Sequence, residues 1–326
     1  MLTKLFLFMY CFSSLCQSGI CAALFLLSAI HPALHAQQTV DSATLKTVVI
    51  QATRANDRSP VPHTNISAAQ LGQYYQAQDI PFLLTGIPAL VETSDAGTGI
   101  GYTGMRIRGS DPTRINVTLN GIPLNDAESQ GLFWVDLPDL AASTAEIQVQ
   151  RGVGSSTNGA GAFGATVNLD LSQFSTEPFA GITNTFGSFA TRKHAIQLGS
   201  GLIGGKLAFT GRLSQIVSDG FVDRASADLR SYHLSGTYVS ERQSVQMHLL
   251  SGHEVTYQAW NGLPAQYLDV PELRRYNSAG TEKPGAPYSD EVDDYTQRHY
   301  LLHYKRLLSN TLDLQLNGHY TRGFGF

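Results

Sequence analysis

Ten histidines, a glycine-rich run and a few arginines set among apolar residues are the groups in this sequence that could do chemistry. The histidines lack the spacing of a metal site. Several fall on the polar side of alternating segments, where they read as solvation of an interior surface rather than as ligands. Gly99-Ile-Gly-Tyr-Thr-Gly104 fits G-x-G-x-x-G. A dinucleotide loop, however, needs a helix to follow, so that its N-terminus meets the pyrophosphate. Here Met105–Arg108 is strand-like, and the run reads as a loop. No Ser-His-Asp set, paired catalytic carboxylates or P-loop emerges. The chain does not read as an enzyme, and no metal or cofactor is implied.

Recognition chemistry is better represented. Leu45–Arg54 holds the β-branched run Thr47-Val48-Val49-Ile50, followed by Gln51 and Ala52. Such a peptide can add a strand to a partner's sheet through its backbone. Arg106, Arg108, Arg114 and Arg151 stand out in a chain of which only 15% is charged. Two stretches, Thr93–Thr103 (with Tyr102) and Asn125–Trp134 (with Phe133), read as exposed loops. A third segment carries Tyr257, Trp260, Tyr267, Arg274, Arg275 and Tyr276. Aromatic and Arg enrichment is what binding surfaces use. The ligand candidates are therefore Tyr102, Asn125, Phe133, Trp134, Tyr257, Trp260, Arg274 and Arg275.

The elements that must position these groups follow from the N-terminus onward. Lys4, the apolar run Ile20–Ile30 and Leu34-His-Ala36 read as a secretory leader, with cleavage expected after Ala36. All three cysteines lie inside it, at 11, 16 and 21, so the mature chain has no disulfide chemistry. A formal charge of −4 gives no footprint for nucleic acid. No later segment is apolar enough for a membrane helix, so a membrane protein with this sequence must be a closed β-barrel.

A linker over 37–58 leads to an α+β unit over 59–172, which is about the size of one small domain. Ser67-Ala-Ala-Gln70 is a capping box opening a helix to Tyr75, and Asp79 is placed to cap a second turn, Ile80–Thr85. Strands are expected at Ala89–Glu92, Met105–Arg108, Arg114–Leu119, Ala145–Arg151 and Ala165–Leu171. Strict alternation then takes over. In Thr311–Tyr320, Leu312, Leu314, Leu316, Gly318 and Tyr320 share one face, with Asp313, Gln315, Asn317 and His319 on the other. Seven such strands are expected, near 179–187, 192–202, 206–217, 230–240, 243–254, 294–307 and 311–322. They are longer than the roughly 5–6 residues usual in soluble sheets. The second, fourth and sixth connections are tight, and the third and fifth are long. This is the asymmetry of an outer-membrane barrel.

The order Met105-Arg-Ile-Arg-Gly-Ser110, Ile115–Asp126, Ile147–Gly152 and Asn158–Leu169 resembles the plug domain of TonB-dependent outer-membrane receptors. The resemblance implies a plug followed by the first strands of a barrel of about 22 strands. At roughly 21 residues per strand, on the order of 460 residues would be needed beyond Phe179, so a fragment is expected. It implies that segment 45–53 is a TonB box, with Thr47–Ala52 meeting the periplasmic domain of TonB. It also implies that Arg106, Arg108, Arg114 and Arg151 pair with carboxylates of the barrel wall. The expected function is energised uptake of a scarce external ligand, foremost a ferric siderophore, at the bacterial outer membrane and in contact with its lipid. A non-energised porin or adhesin barrel is the rival, and a secreted β-rich enzyme the third reading.

Overall fold

The computed structural model describes residues 54–326 apart from 57–58 and 154–160. The expected leader and segment 45–53 lie outside the described residues. The first unit is built on a five-stranded sheet in the order β1-β6-β7-β4-β5. These strands are β1 (His63–Ser67), β4 (Ile115–Leu119), β5 (Ile122–Pro123), β6 (Glu146–Arg151) and β7 (Ala165–Asp170). The β4–β7 pair is parallel and the others antiparallel. A separate hairpin joins β2 (Leu90–Ser94) to β3 (Thr103–Ile107). Ile115, Val117, Leu119, Ile147, Val149, Val167 and Leu169 fill the core from alternate positions. The intervening Asn116, Thr118, Gln148, Thr166 and Asn168 are buried as well, and Thr118 donates to Asn168 at 2.6 Å.

Helix α1 (Ala68–Tyr74) starts at the expected capping box: Ser67 accepts from the Gln70 N–H, and the Gln70 side chain accepts from the Ser67 N–H. Helix α2 (Ile80–Leu83) starts after Asp79, but the Asp79 carboxylate makes no cap bond and accepts instead from the Thr103 hydroxyl at 2.8 Å. Ser67 ends β1 and caps α1 at once. That strand forms through pairing with β6, which local periodicity does not reveal.

The second sheet is an antiparallel meander of seven strands: β8 (Pro178–Phe186), β9 (Arg192–Ser200), β10 (Leu207–Ser218), β11 (Ala227–Val239), β12 (Gln243–Tyr257), β13 (Val292–Leu307) and β14 (Asp313–Gly325). Each matches an expected strand to within a few residues. Connections 201–206, 240–242 and 308–312 are short, and 219–226 and 258–291 are longer. Connection 187–191, at the same end as the long ones, is short too.

The polarity of this sheet is inverted relative to a soluble protein. Ile182, Ile196, Leu198, Phe209, Leu213, Leu234, Met247, Tyr300, Leu302, Leu316 and Tyr320 are exposed on its outer face. Arg212, His233, Gln246, His248, Glu254, His299 and His303 are buried on its inner face. From Leu207 to Leu213 the outer face is apolar over a height of ~20 Å, close to the apolar band of roughly 25 Å on an outer-membrane barrel. No described helix is long and apolar enough to cross a membrane.

The first unit seats against the inner face, and Leu250 and Leu301 of the wall join its core cluster. At Gly252 of β12 the backbones almost touch: a Cβ there would collide with the Asp136 carbonyl and stand 2.7 Å from the Pro138 ring. Gly252→Val should therefore cost about 1–3 kcal/mol of seating. In the full-length protein it should expose the first unit to limited proteolysis at lower denaturant. Gly318→Val, where a Cβ meets nothing within 4 Å, should leave the digestion midpoint unchanged.

Candidate functional site

The seam between the first unit and the wall is organised on one carboxylate. Asp139 starts a 3-10 turn over Leu140–Ser143 in the left-handed conformation, φ 59°, which aspartate tolerates better than most residues. Its carboxylate is buried, with Lys193 Nζ of β9 at 2.5 Å and Arg212 Nη1 of β10 at 2.7 Å. The Tyr75 hydroxyl, just after α1, donates to the same carboxylate, and Lys193 lies 4.0 Å from the Tyr75 ring centre. Arg212 also donates to Ser143 at 2.8 Å and to Ser231 at 3.2 Å. Burial pushes the Asp139 carboxyl up, but Arg212 and Lys193, with hydrogen bonds from Lys193 and Tyr75, outweigh it and hold it below the usual range. Further polar contacts cross the seam from Gln197 to the Ala142 carbonyl (3.1 Å), from Gln246 to the Ser172 carbonyl (2.8 Å) and between Asn120 and His248 (3.2 Å).

Toward the end with the long connections the seam is acidic. The Tyr102 hydroxyl donates to Asp293 and, at 3.4 Å, to Glu254. Asp136 is nearly fully buried; burial and then the Asp293 charge push its carboxyl up to about 7. Burial likewise pushes Asp79 up to about 7, against the Thr103 hydrogen bond. Beside Tyr102 lies a cavity of about 330 Å³ lined by Thr93, Asp95, Tyr102, Asp111, Phe133 and Trp134 among others. Tyr102 and Phe133 meet edge to face at 6.4 Å. Gly99, in the loop above, has φ +74° and would place a Cβ 2.9 Å from the Phe82 ring, so the G-x-G-x-x-G run serves a tight loop and is followed by β3.

The structure brings three sequence-selected residues, Tyr102, Phe133 and Trp134, to that cavity. Phe133 is half exposed and Trp134 is buried. Asn125 is occupied with the fold: it accepts from Val117 N–H and donates to the carbonyls of Ile115 and Gln130. In connection 258–291, Trp260 is exposed. Tyr257 donates to the Tyr288 carbonyl at 2.6 Å and Arg274 to the Leu268 carbonyl at 2.9 Å. Arg275 donates to the Phe221 carbonyl and lies over the rings of Phe189 and Phe221.

One expectation needs correction, that of the histidines. Among the described residues, with seven wall strands present, Arg114 pairs with Asp111 of its own turn at 3.8 Å, and pairing of Arg106, Arg108 and Arg151 with barrel carboxylates stays a proposal. The seam pairs have the opposite sense, with the carboxylate on the first unit and the cations on the wall. The inner-face histidines are not solvated. His233, His248, His299 and His303 are buried, because the first unit fills the space they face. His233 and His248 stack 5.4 Å apart. Among the described residues, no group of three or more His, Cys, Asp or Glu is arranged to hold a metal ion.

Arg54 was not anticipated. It ion-pairs with Glu146, and with Asp170 at 3.3 Å. Ala55 exchanges two hydrogen bonds with the Gln148 side chain, at 2.8 and 2.9 Å. The chain that follows segment 45–53 is thereby fastened to β6 and β7.

Asp139→Asn should cost about 3–5 kcal/mol, because it leaves Lys193 and Arg212 buried without their counter-charge. A carboxyl held low stabilises the fold above its unfolded pKa, and that contribution is lost as pH falls through the folded value. Asp79 and Asp136 act in the other direction: with folded values near 7, they make the fold bind more protons than the unfolded chain, so stability falls from about pH 4 to pH 7. Denaturant titrations across pH should show that fall, and Asp136→Asn should flatten it.

Residues 55–166 match the family model of the TonB-dependent receptor plug domain. No curated protein matches the sequence. Among solved structures, the closed form of the ferric-catecholate import receptor Fiu of E. coli K12 aligns with TM-score 0.61 at 15% identity, covering 90% of this chain and 40% of that one. The ferric yersiniabactin uptake receptor FyuA of Yersinia pestis aligns at 0.60 and 17% identity, covering 81% and 41%. Pyoverdine-bound FpvA of P. aeruginosa aligns at 0.58 and 12%, covering 80% and 34%. Such identities show the fold, and this chain spans about two fifths or less of the length of these receptors. The family match identifies residues 55–166 as a TonB-dependent receptor plug domain, and the fold seats it against an antiparallel sheet like the first strands of a receptor β-barrel.

Proposed function

We propose that this chain belongs to an energised importer that binds a scarce ligand outside the cell, a ferric siderophore or another iron complex. The observation that carries the reading is a plug domain fastened inside a wall whose outer face is apolar and whose inner face is polar. A non-energised porin or adhesin has no use for such a plug, and transport changes no covalent bond of the cargo. In this reading Thr47, Val48, Val49, Ile50, Gln51 and Ala52 are the contact for TonB. A pull on them reaches the plug first at Arg54, where Glu146 and Asp170 hold the chain. The cavity at Tyr102 and Phe133 and the exposed Trp260, Arg274 and Arg275 are the ligand contacts. Fiu and FyuA are named for import of iron complexes, which supports the same class of cargo here.

Deletion of residues 45–53 in the full-length gene should abolish uptake of radiolabelled ferric siderophores while cell-surface binding persists. Uptake that survives the deletion would overturn the energised reading. Phe133→Ala should weaken surface binding of the transported complex at least tenfold, or about 1.4 kcal/mol, with the amount of receptor in the membrane unchanged.

A further inference from the structure

Where the turn between β4 and β5 meets the wall, three side chains are joined in a line. Asn120 Nδ2 lies 3.2 Å from His248 Nε2 of β12, and His248 Nδ1 lies 3.2 Å from His233 Nε2 of β11. The plug end of the line fixes the place of every proton in it. Asn120 Oδ1 accepts from the Leu171 N–H at 2.7 Å, so the amide presents its NH2 group to His248. His248 Nε2 is therefore an acceptor, its proton is on Nδ1, and that proton is donated to His233 Nε2. Both rings are neutral. A further proton on either ring meets a donor: on His248 it would point at the Asn120 NH2, and on His233 at the His248 N–H. Turning the amide over would strand the buried Leu171 N–H instead.

The surroundings oppose a charge as well. The two rings are buried and stack 5.4 Å apart. Arg212 of β10 is the register partner of His233, and its counter-charge Asp139 is shared with Lys193. His303 of β13 meets His248 edge to face at 5.9 Å. From the plug, the pair is faced by the neutral amide of Asn120. Among the described residues, no carboxylate lies within ion-pair distance of His233 or His248. Both rings sit on strands that are paired on either side. His233 also borders a cavity of about 360 Å³ with Ser143, Gln197 and Arg212, through which water can bring protons to the pair.

We propose that the line Asn120–His248–His233 is an acid-sensitive latch on the plug: it holds the β4–β5 turn to the wall while both histidines are neutral, and proton uptake by the pair releases that turn. Protonated histidines in contact repel one another and Arg212, and a charged His248 loses its bond to Asn120. Clustered histidines at an interface suit such switching because their charge changes within an ordinary environmental pH range. The latch is complete above about pH 6.5 and weakens as pH falls below it, because a released ring titrates as in free solution. The released population should rise by up to about 30-fold per ring between about pH 6.5 and about pH 5. The inference rests on the plug being seated against the wall, not on the import reading or any cargo.

The test uses the full-length receptor in nanodiscs, freed of other cysteines and spin-labelled at Pro123→Cys, beside the turn, and at Leu234→Cys, on the outer face of β11. Both positions are exposed. The distance between the labels is measured by pulsed EPR at about pH 7.5 and about pH 5, on either side of the histidine range. Asp139 is held below the usual carboxylate range and stays charged at both. The labelled parent should show one distance at the higher pH and a second, longer one at the lower. His248→Gln, whose amide can accept from Asn120 and donate to His233 without titrating, should keep the single distance throughout. So should Asn120→Asp, whose carboxylate pairs with a protonated His248. One unchanged distance in the parent at both pH values would overturn the proposal. So would a second distance that persists in His248→Gln, which would assign the acid response to another group.

Discussion

Hydrocarbon offers no hydrogen bonds, and the structure of residues 178–325 follows from that constraint. Every backbone N–H and C=O in the band must find its partner in the next strand. The wall is accordingly an uninterrupted antiparallel meander with residue-by-residue register from β8 to β14. The side-chain period of two then sends apolar residues outward to lipid. Polar ones are left on the inner face, where a domain core would ordinarily be. Whatever occupies the interior must satisfy Lys193, Arg212, Gln197, Gln246 and His248 rather than cover Leu and Val. The plug does so with Asp139, two backbone carbonyls and Asn120, and apolar contact is confined to places such as Leu250 and Leu301.

A seam of this kind has energetic consequences that an apolar seam lacks. A buried ion cluster adds little net stability over a well-packed apolar one, yet a missing partner costs several kcal/mol. Placement of the plug is thus sharply defined, since a small displacement strands Lys193 and Arg212 without a counter-charge. Opening is also cushioned: water that enters the seam rehydrates ions that had lost their shells, whereas separated apolar faces gain nothing. The importer proposed above, whose plug sits in one position and yields to a modest pull, is well served by that balance. The acidic end of the seam works differently. Tyr102, Asp136, Glu254 and Asp293 converge there, and the Tyr102 hydroxyl donates to both Asp293 and Glu254.

In the proposed importer, a pull from the N-terminal side reaches the plug first at Arg54. Its guanidinium reaches Glu146 and Asp170, at the first residue of β6 and the last residue of β7. Gln148 extends the anchorage by imitating a strand partner for Ala55. Load entering from the N-terminal side therefore meets the middle strands of the plug sheet and not a peripheral loop.

The sequence by itself determined the local and periodic features. These are the capping box at Ser67, the strict alternation that places all seven wall strands, the short turns at one end, and a motif order that resembles a plug domain. Each depends on residues near in the chain, or on a period that lipid on one side and a plug on the other impose on every strand alike. Only the tertiary structure decided which charges meet. Asp139 lies 54 residues from Lys193 and 73 from Arg212, and it finds them because the depth at which the plug sits selects one level of the wall. The arginines at 106, 108, 114 and 151 carry the more conspicuous sequence signal, but among the described residues none of them is the partner of Asp139. Histidines that alternate as if solvated are buried for the same reason. Periodicity tells which side of a strand a residue occupies; what fills the space on that side is set by long-range packing.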